Sequence, residues 1–229
     1  MAGTTARRGI PAVLVAAATT VAVCALSGCG SGDDGAAPAD EVTASAATSA
    51  PASAQDGAGP DAGSVAKGGS IGAAGSACEL PVTFDLAADW EPQAVDTTDA
   101  PELAALAEQG PLTMVCEIDA KPAGNIGYLR VWRGEKSSDS PRDLLKAFVT
   151  AEAGATDITY TDIEAGSVAG AEASYTVDVE LLDETKTERA FLVPTAEGPV
   201  VVHLGGLDTE EHEAMLPAYE LAKSSLRTG

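Results

Sequence analysis

The sequence predicts an α+β fold, a mostly antiparallel sheet with helices packed on it, for the C-terminal two thirds of the chain. Three features carry this. All nine Trp, Tyr and Phe residues lie between Phe84 and Tyr219, so core-forming material is concentrated there. Short stretches alternate apolar and polar residues with a period of two. Helical patterns occur at the start, middle and end of the region rather than between every pair of strands, the arrangement of sheets built in meander order.

The first strand is read at Val82–Leu86, and a short helix with Pro at its start at Pro101–Gln109. Strands follow at Leu112–Asp119 and Ile126–Arg133. Ser140 suits the N-cap of a helix over Pro141–Glu152, with Leu144, Leu145 and Phe148 on one face. Four more strands are expected at Asp157–Glu164, Ala173–Leu182, Glu188–Pro194 and Val200–Leu204. In the clearest of them, Tyr175, Val177, Val179 and Leu181 alternate with Thr176, Asp178 and Glu180. Asp183-Glu184-Thr185-Lys186 reads as a polar hairpin turn. A last helix begins near Asp208, which pairs with Glu211 as a capping box. Pro217 is expected to kink or restart it, and Met215, Ala218, Tyr219, Ala222 and Leu226 form its apolar side.

Upstream the chain changes character. Residues 1–28 contain no Asp or Glu; Arg7 and Arg8 precede an apolar run from Ile10 to Leu26. That is the layout of an export signal, and the run, interrupted by Pro11, falls short of the roughly 20 residues a membrane-spanning helix needs. It ends in Leu26-Ser27-Gly28-Cys29, which resembles the bacterial lipobox. The resemblance implies a lipid thioether on Cys29, cleavage just before it, and several acyl chains, enough for stable anchoring at a membrane. Whether export follows the general or the twin-arginine route stays open. Residues 29–77 are mostly Gly, Ala, Ser, Thr, Pro and Asp with no aromatic residue, a composition expected to be a disordered tether. The domain reading is therefore leader 1–28, lipidated tether 29–77 and globular domain 78–229.

The chain carries 13 basic and 35 acidic residues. Removing Arg7 and Arg8 with the leader leaves 11 against 35, a net charge of −24. Such acidity excludes nucleic acid as a partner and disfavours lying flat on anionic headgroups. Of the four cysteines, Cys24 leaves with the leader and Cys29 takes the lipid. Cys78 shares its parity with Leu80, Val82 and Phe84, and Cys116 with Leu112, Met114 and Ile118. Both point to the core of a domain in an oxidising compartment, so a Cys78–Cys116 disulfide is expected, with two separate buried thiols as the alternative.

Val82-Thr83-Phe84-Asp85-Leu86 with Asp89-Trp90, and Val200-Val201-Val202-His203-Leu204 before an acidic turn and a helix ending Ala222-Lys223-Ser224-Ser225-Leu226, resemble the opening and closing elements of the PsbP-like fold. Actinobacterial LpqN-type lipoproteins join that fold to a lipobox and a leash. The resemblance implies an α/β/α sandwich and a binding or accessory role rather than catalysis.

No nucleophile elbow, phosphate loop, His-Glu-x-x-His or EF-hand pattern occurs, and no catalytic residue, metal or cofactor is called. His203 reads as a hydrogen-bonded strand histidine, and His212 sits among Glu210, Glu211 and Glu213, which do not share one helix face. Tyr128, Arg130 and Trp132 share a strand face. If open, it carries the aromatic and guanidinium groups of a binding surface; otherwise Tyr128 and Trp132 are core and Arg130 reaches out to a carboxylate. The leading expectation is a lipid-anchored extracytoplasmic module, held by its acyl anchor on the outer side of the cell membrane, that binds an envelope protein or small ligand. The alternative is an envelope hydrolase with a dispersed site drawn from Asp85, Asp89 or Glu117.

Overall fold

The computed structural model describes residues 65–98, 101–179 and 184–229. Cys29, the leader and most of the tether lie outside them. Eleven strands and two α-helices appear among the described residues: β1 Lys67–Ile71, β2 Val82–Ala87, β3 Glu91–Ala94, β4 Glu108–Gln109, β5 Leu112–Asp119, β6 Gly127–Gly134, α1 Pro141–Thr150, β7 Ala155–Ala165, β8 Val168–Val179, β9 Glu184–Thr195, β10 Gly198–Gly206, α2 Thr209–Ser225 and β11 Arg227–Thr228. The fold is α+β, with antiparallel pairing between all named strands. The large sheet runs β3-β5-β6-β10-β9-β8-β7, with β4 beside β5, and a small sheet runs β1-β2-β11.

β10 lies near the middle of the large sheet, and all nine of its residues are buried. Buried on both faces, such a strand reads as a continuous apolar run, which explains Val200-Val201-Val202. Val200, Val202 and Leu204 pack with Phe84, Phe191, Met215, Ala218, Tyr219 and Ala222, the layer formed by α2 and β2. Val201 faces the other way, with Trp132, Leu145, Phe148, Tyr175 and Leu192 under α1. The result is two apolar layers, one on each side of the sheet.

Both helices begin as the sequence dictates. The Ser140 side chain accepts from Asp143 N, and that of Asp208 accepts from Glu211 N at 2.8 Å. Glu211 does not close the capping box, because its carboxylate accepts from Ile126 N instead. Pro217 sits inside a helix that continues to Ser225 rather than restarting.

Several expected boundaries shift. Residues 101–107 form a 3-10 helix, and Glu108–Gln109 is already a strand. Glu184, Thr185 and Lys186 belong to β9 rather than to a turn. Ordered structure also reaches back into the expected tether: Lys67–Ile71 pairs with β2 through its backbone, and only Ile71 is buried. A strand held at a sheet edge by main-chain bonds leaves little trace in composition.

The most consequential difference is in β5. Register slips between Met114 and Cys116, so Val115 is an extra residue in the ladder. A bulge of this kind reverses the parity of everything beyond it. Leu112 therefore packs under α1, whereas Cys116 and Ile118 pack on the α2 side. The expectation that all four alternating residues share one face is corrected by that single insertion. Cys116 then meets Cys78 in a disulfide with Cα atoms 6.0 Å apart.

Candidate functional site

α1 has ten residues, about 15 Å of helix, whereas β8 and β9 have twelve residues each, roughly 40 Å of strand. The helix covers only part of its sheet face, and the composition of that face changes where the cover ends. Each strand switches: β10 from Val201 to His203 to Gly205, β6 from Trp132 to Arg130 to Tyr128, β9 from Leu192 and Ala190 to Glu188 and Lys186.

A buried polar cluster marks the border. Tyr175, Glu188 and His203 are each at most 3 % exposed. The Tyr175 hydroxyl lies 2.8 Å from Glu152 Oε2, 3.3 Å from Glu188 Oε2 and 3.1 Å from His203 Nε2. His203 Nε2 lies 2.8 Å from Glu188 Oε2, and the Lys186 ammonium pairs with Glu188 Oε1 at 2.6 Å. Gln109 donates to Glu152 from β4. Burial would raise the Glu188 carboxyl, but His203 and Lys186 outweigh it and hold that group well below the usual carboxylate range. Glu152 moves the other way, pushed up by burial and by the Glu188 charge against the pull of His203. Burial beside two carboxylates keeps the Tyr175 phenol protonated.

Beyond the border the face opens into a groove of about 450 Å³ lined by Glu91, Pro92, Gln93, Glu117, Asp119 and Tyr128. Gln93 pairs with Glu117 and Glu91 with Asp119 across β3 and β5, so these side chains point the same way. Arg130 Nε donates to Glu117 Oε2 at 2.8 Å, and its guanidinium lies 4.8 Å from the Tyr128 ring centre.

The two arrangements weighed for β6 are thus divided along the strand. Trp132 is core, 5.3 Å edge-to-face from Phe148. Arg130 pairs with a carboxylate, and Tyr128 is half-buried on the groove wall. Asp85 lies on the small sheet, paired with Lys67, and Asp89 in the turn after β2; neither is near Glu117 on β5. His203 is hydrogen-bonded through Nε2, but its Nδ1 has no partner. His212 faces inward and is 1 % exposed, with neither ring nitrogen bonded. The Glu152–Tyr175–Glu188–His203 cluster escaped sequence reading because its members come from four separate elements. The one available signal was a histidine interrupting the apolar run of β10.

These features define an α+β domain with a polar, partly open sheet face. The chain belongs to the family Lipoprotein_23, described as uncharacterised lipoprotein, whose family model matches residues 48–226. No curated protein matches it. Among the described residues no helix is long and apolar enough to cross a membrane.

Proposed function

We propose that this protein is a lipid-anchored envelope module that stands on the outer side of the cell membrane and binds a cationic segment of another envelope protein. The groove on the open half of the α1 face carries the reading. Glu91, Glu117 and Asp119 line it against the single positive charge of Arg130, so its net charge favours a basic partner. Tyr128 supplies a rigid aromatic wall of the kind found at binding hot spots. The family supports the anchor. In this reading Cys29 carries the acyl chains, and the stretch before the domain gives it reach. Asp85, Asp89 and Glu117 lie apart, so no observation favours the hydrolase.

The test uses the full chain, purified in detergent and immobilised, to capture envelope proteins in parallel with Glu91→Lys/Tyr128→Ala. The parent is expected to retain a basic partner that salt elutes, and the variant to bind it about 30-fold more weakly, a loss of about 2 kcal/mol. Capture by the variant equal to that by the parent refutes the groove as the site.

A further inference from the structure

We propose that Glu152, Glu188 and His203 form a binding site for a divalent cation of the zinc class, with the Tyr175 hydroxyl, whose proton is released to solvent as the ion binds, as fourth donor. Glu152, Glu188 and His203 each present one ligand atom, and these three atoms lie within 4.8 Å of one another. The Tyr175 hydroxyl lies 2.8–3.3 Å from Glu152 Oε2, Glu188 Oε2 and His203 Nε2, and His203 Nε2 lies 2.8 Å from Glu188 Oε2. Bonds of about 2.0–2.1 Å in tetrahedral geometry put ligand atoms about 3.3 Å apart, so those four separations need to change by at most about half an ångström. One imidazole with two carboxylates is a borderline-to-hard set that suits Zn²⁺ and its neighbours rather than Ca²⁺ or Cu⁺.

The charge balance leads to the same place. Two carboxylates are held together, Glu188 out of water and Glu152 at the rim, and Lys186 neutralises only the far oxygen of Glu188. The far side of the imidazole leaves the tautomer open, since Nδ1 has neither donor nor acceptor. Nε2 can therefore give up its proton to Nδ1 and offer its lone pair.

Two features set the affinity. Gln109 fixes Glu152, and Lys186 fixes Glu188, as outer partners orient metal ligands elsewhere. His203 lacks such a partner, a lack that costs about 10- to 100-fold, and the Lys186 ammonium repels the ion. The site is expected to be weaker than a closed structural zinc site and to strengthen when Lys186 loses its charge.

The full chain, stripped with chelator, is titrated with ZnCl₂ by calorimetry and with CoCl₂ by visible absorption. One saturable equivalent with a tetrahedral Co²⁺ spectrum is expected. His203→Gln should abolish it and Glu152→Gln should weaken it at least tenfold. Lys186→Gln should tighten it, an effect a purely structural hydrogen-bond network would not produce. Circular dichroism reports whether each variant is folded, and Glu152, half-exposed at the rim, keeps the test decisive if His203→Gln unfolds. No saturable equivalent, or equal binding by parent and Glu152→Gln through scattered surface carboxylates, overturns the proposal.

Discussion

His212 makes stability depend on pH in a way that one substitution isolates. Burial, and secondarily the Arg189 charge, lower its folded-state pKa from 6.5 to about 4; Glu188 works in the opposite sense, while His203 and Lys186 add to the lowering. The unfolded chain therefore binds a proton that the folded chain refuses. Stability is complete above the unfolded value, falls as pH drops from 6.5 towards 4, and changes no further below that. At about 1.4 kcal/mol for each pH unit between the two values, the whole cost is about 3 kcal/mol, of which about 2 kcal/mol falls between pH 7 and pH 5. His212→Leu keeps the apolar contacts of the helix face and removes the titration. Urea unfolding followed by the fluorescence of Trp90 and Trp132, both buried, measures parent and variant at the two pH values. The parent is expected to lose about 2 kcal/mol more than the variant. Titrations elsewhere are common to both chains and cancel in the difference, and Glu188, already depressed, loses its contribution mainly at lower pH. Equal losses in the two chains refute the reasoning. Because both ring nitrogens are buried without partners, the leucine variant should also match or exceed the parent at pH 7.

Replacing both Cys78 and Cys116 by Ala opens a loop of sequence separation 38 and is expected to lower stability by about 4 kcal/mol, read by the same urea assay; a loss under 1 kcal/mol contradicts the chain-entropy account. Removing one side of the buried His203–Glu188 pair, as in Glu188→Ala, should cost about 3–5 kcal/mol, whereas Glu188→Leu with His203→Phe should come within about 1 kcal/mol of the parent. Comparable losses in the two would mean that the pair is retained for stability.

Much of the architecture was legible because local signals and tertiary demands agree. Ser140 and Asp208 cap the helices at the predicted places, and the buried face of α2 carries Met215, Ala218, Tyr219 and Ala222 as its periodicity requires. What escaped was non-local. Val115 is an extra residue in the ladder with β6, and nothing in Leu112–Ile118 itself announces the reversal. β1 escaped because an edge strand can be held by backbone alone. Half of the candidate site was visible: Tyr128 and Arg130 share a face by simple alternation. The buried cluster was not, since its residues are brought together only by the order β8-β9-β10 and the end of α1.

β10 shows that the polar end of the α1 face is not something the fold itself requires. On one side it presents Val200, Val202 and Leu204, an unbroken apolar row; on the other Val201, His203 and Gly205. The same strand, at the same depth in the sheet, can evidently be packed with aliphatic residues throughout. Burying Glu188, His203 and Tyr175 instead incurs desolvation that good geometry at best offsets. That exchange is made in neighbouring strands together, where α1 ends and the groove begins. Leu145, Phe148 and Val149 of α1 rest on Trp132, Val201 and Leu192, and Phe148 also meets the His203 ring edge-to-face at 5.9 Å. Charge is concentrated where the α1 face passes from core to the groove bordered by Arg130 and the carboxylates of β3 and β5.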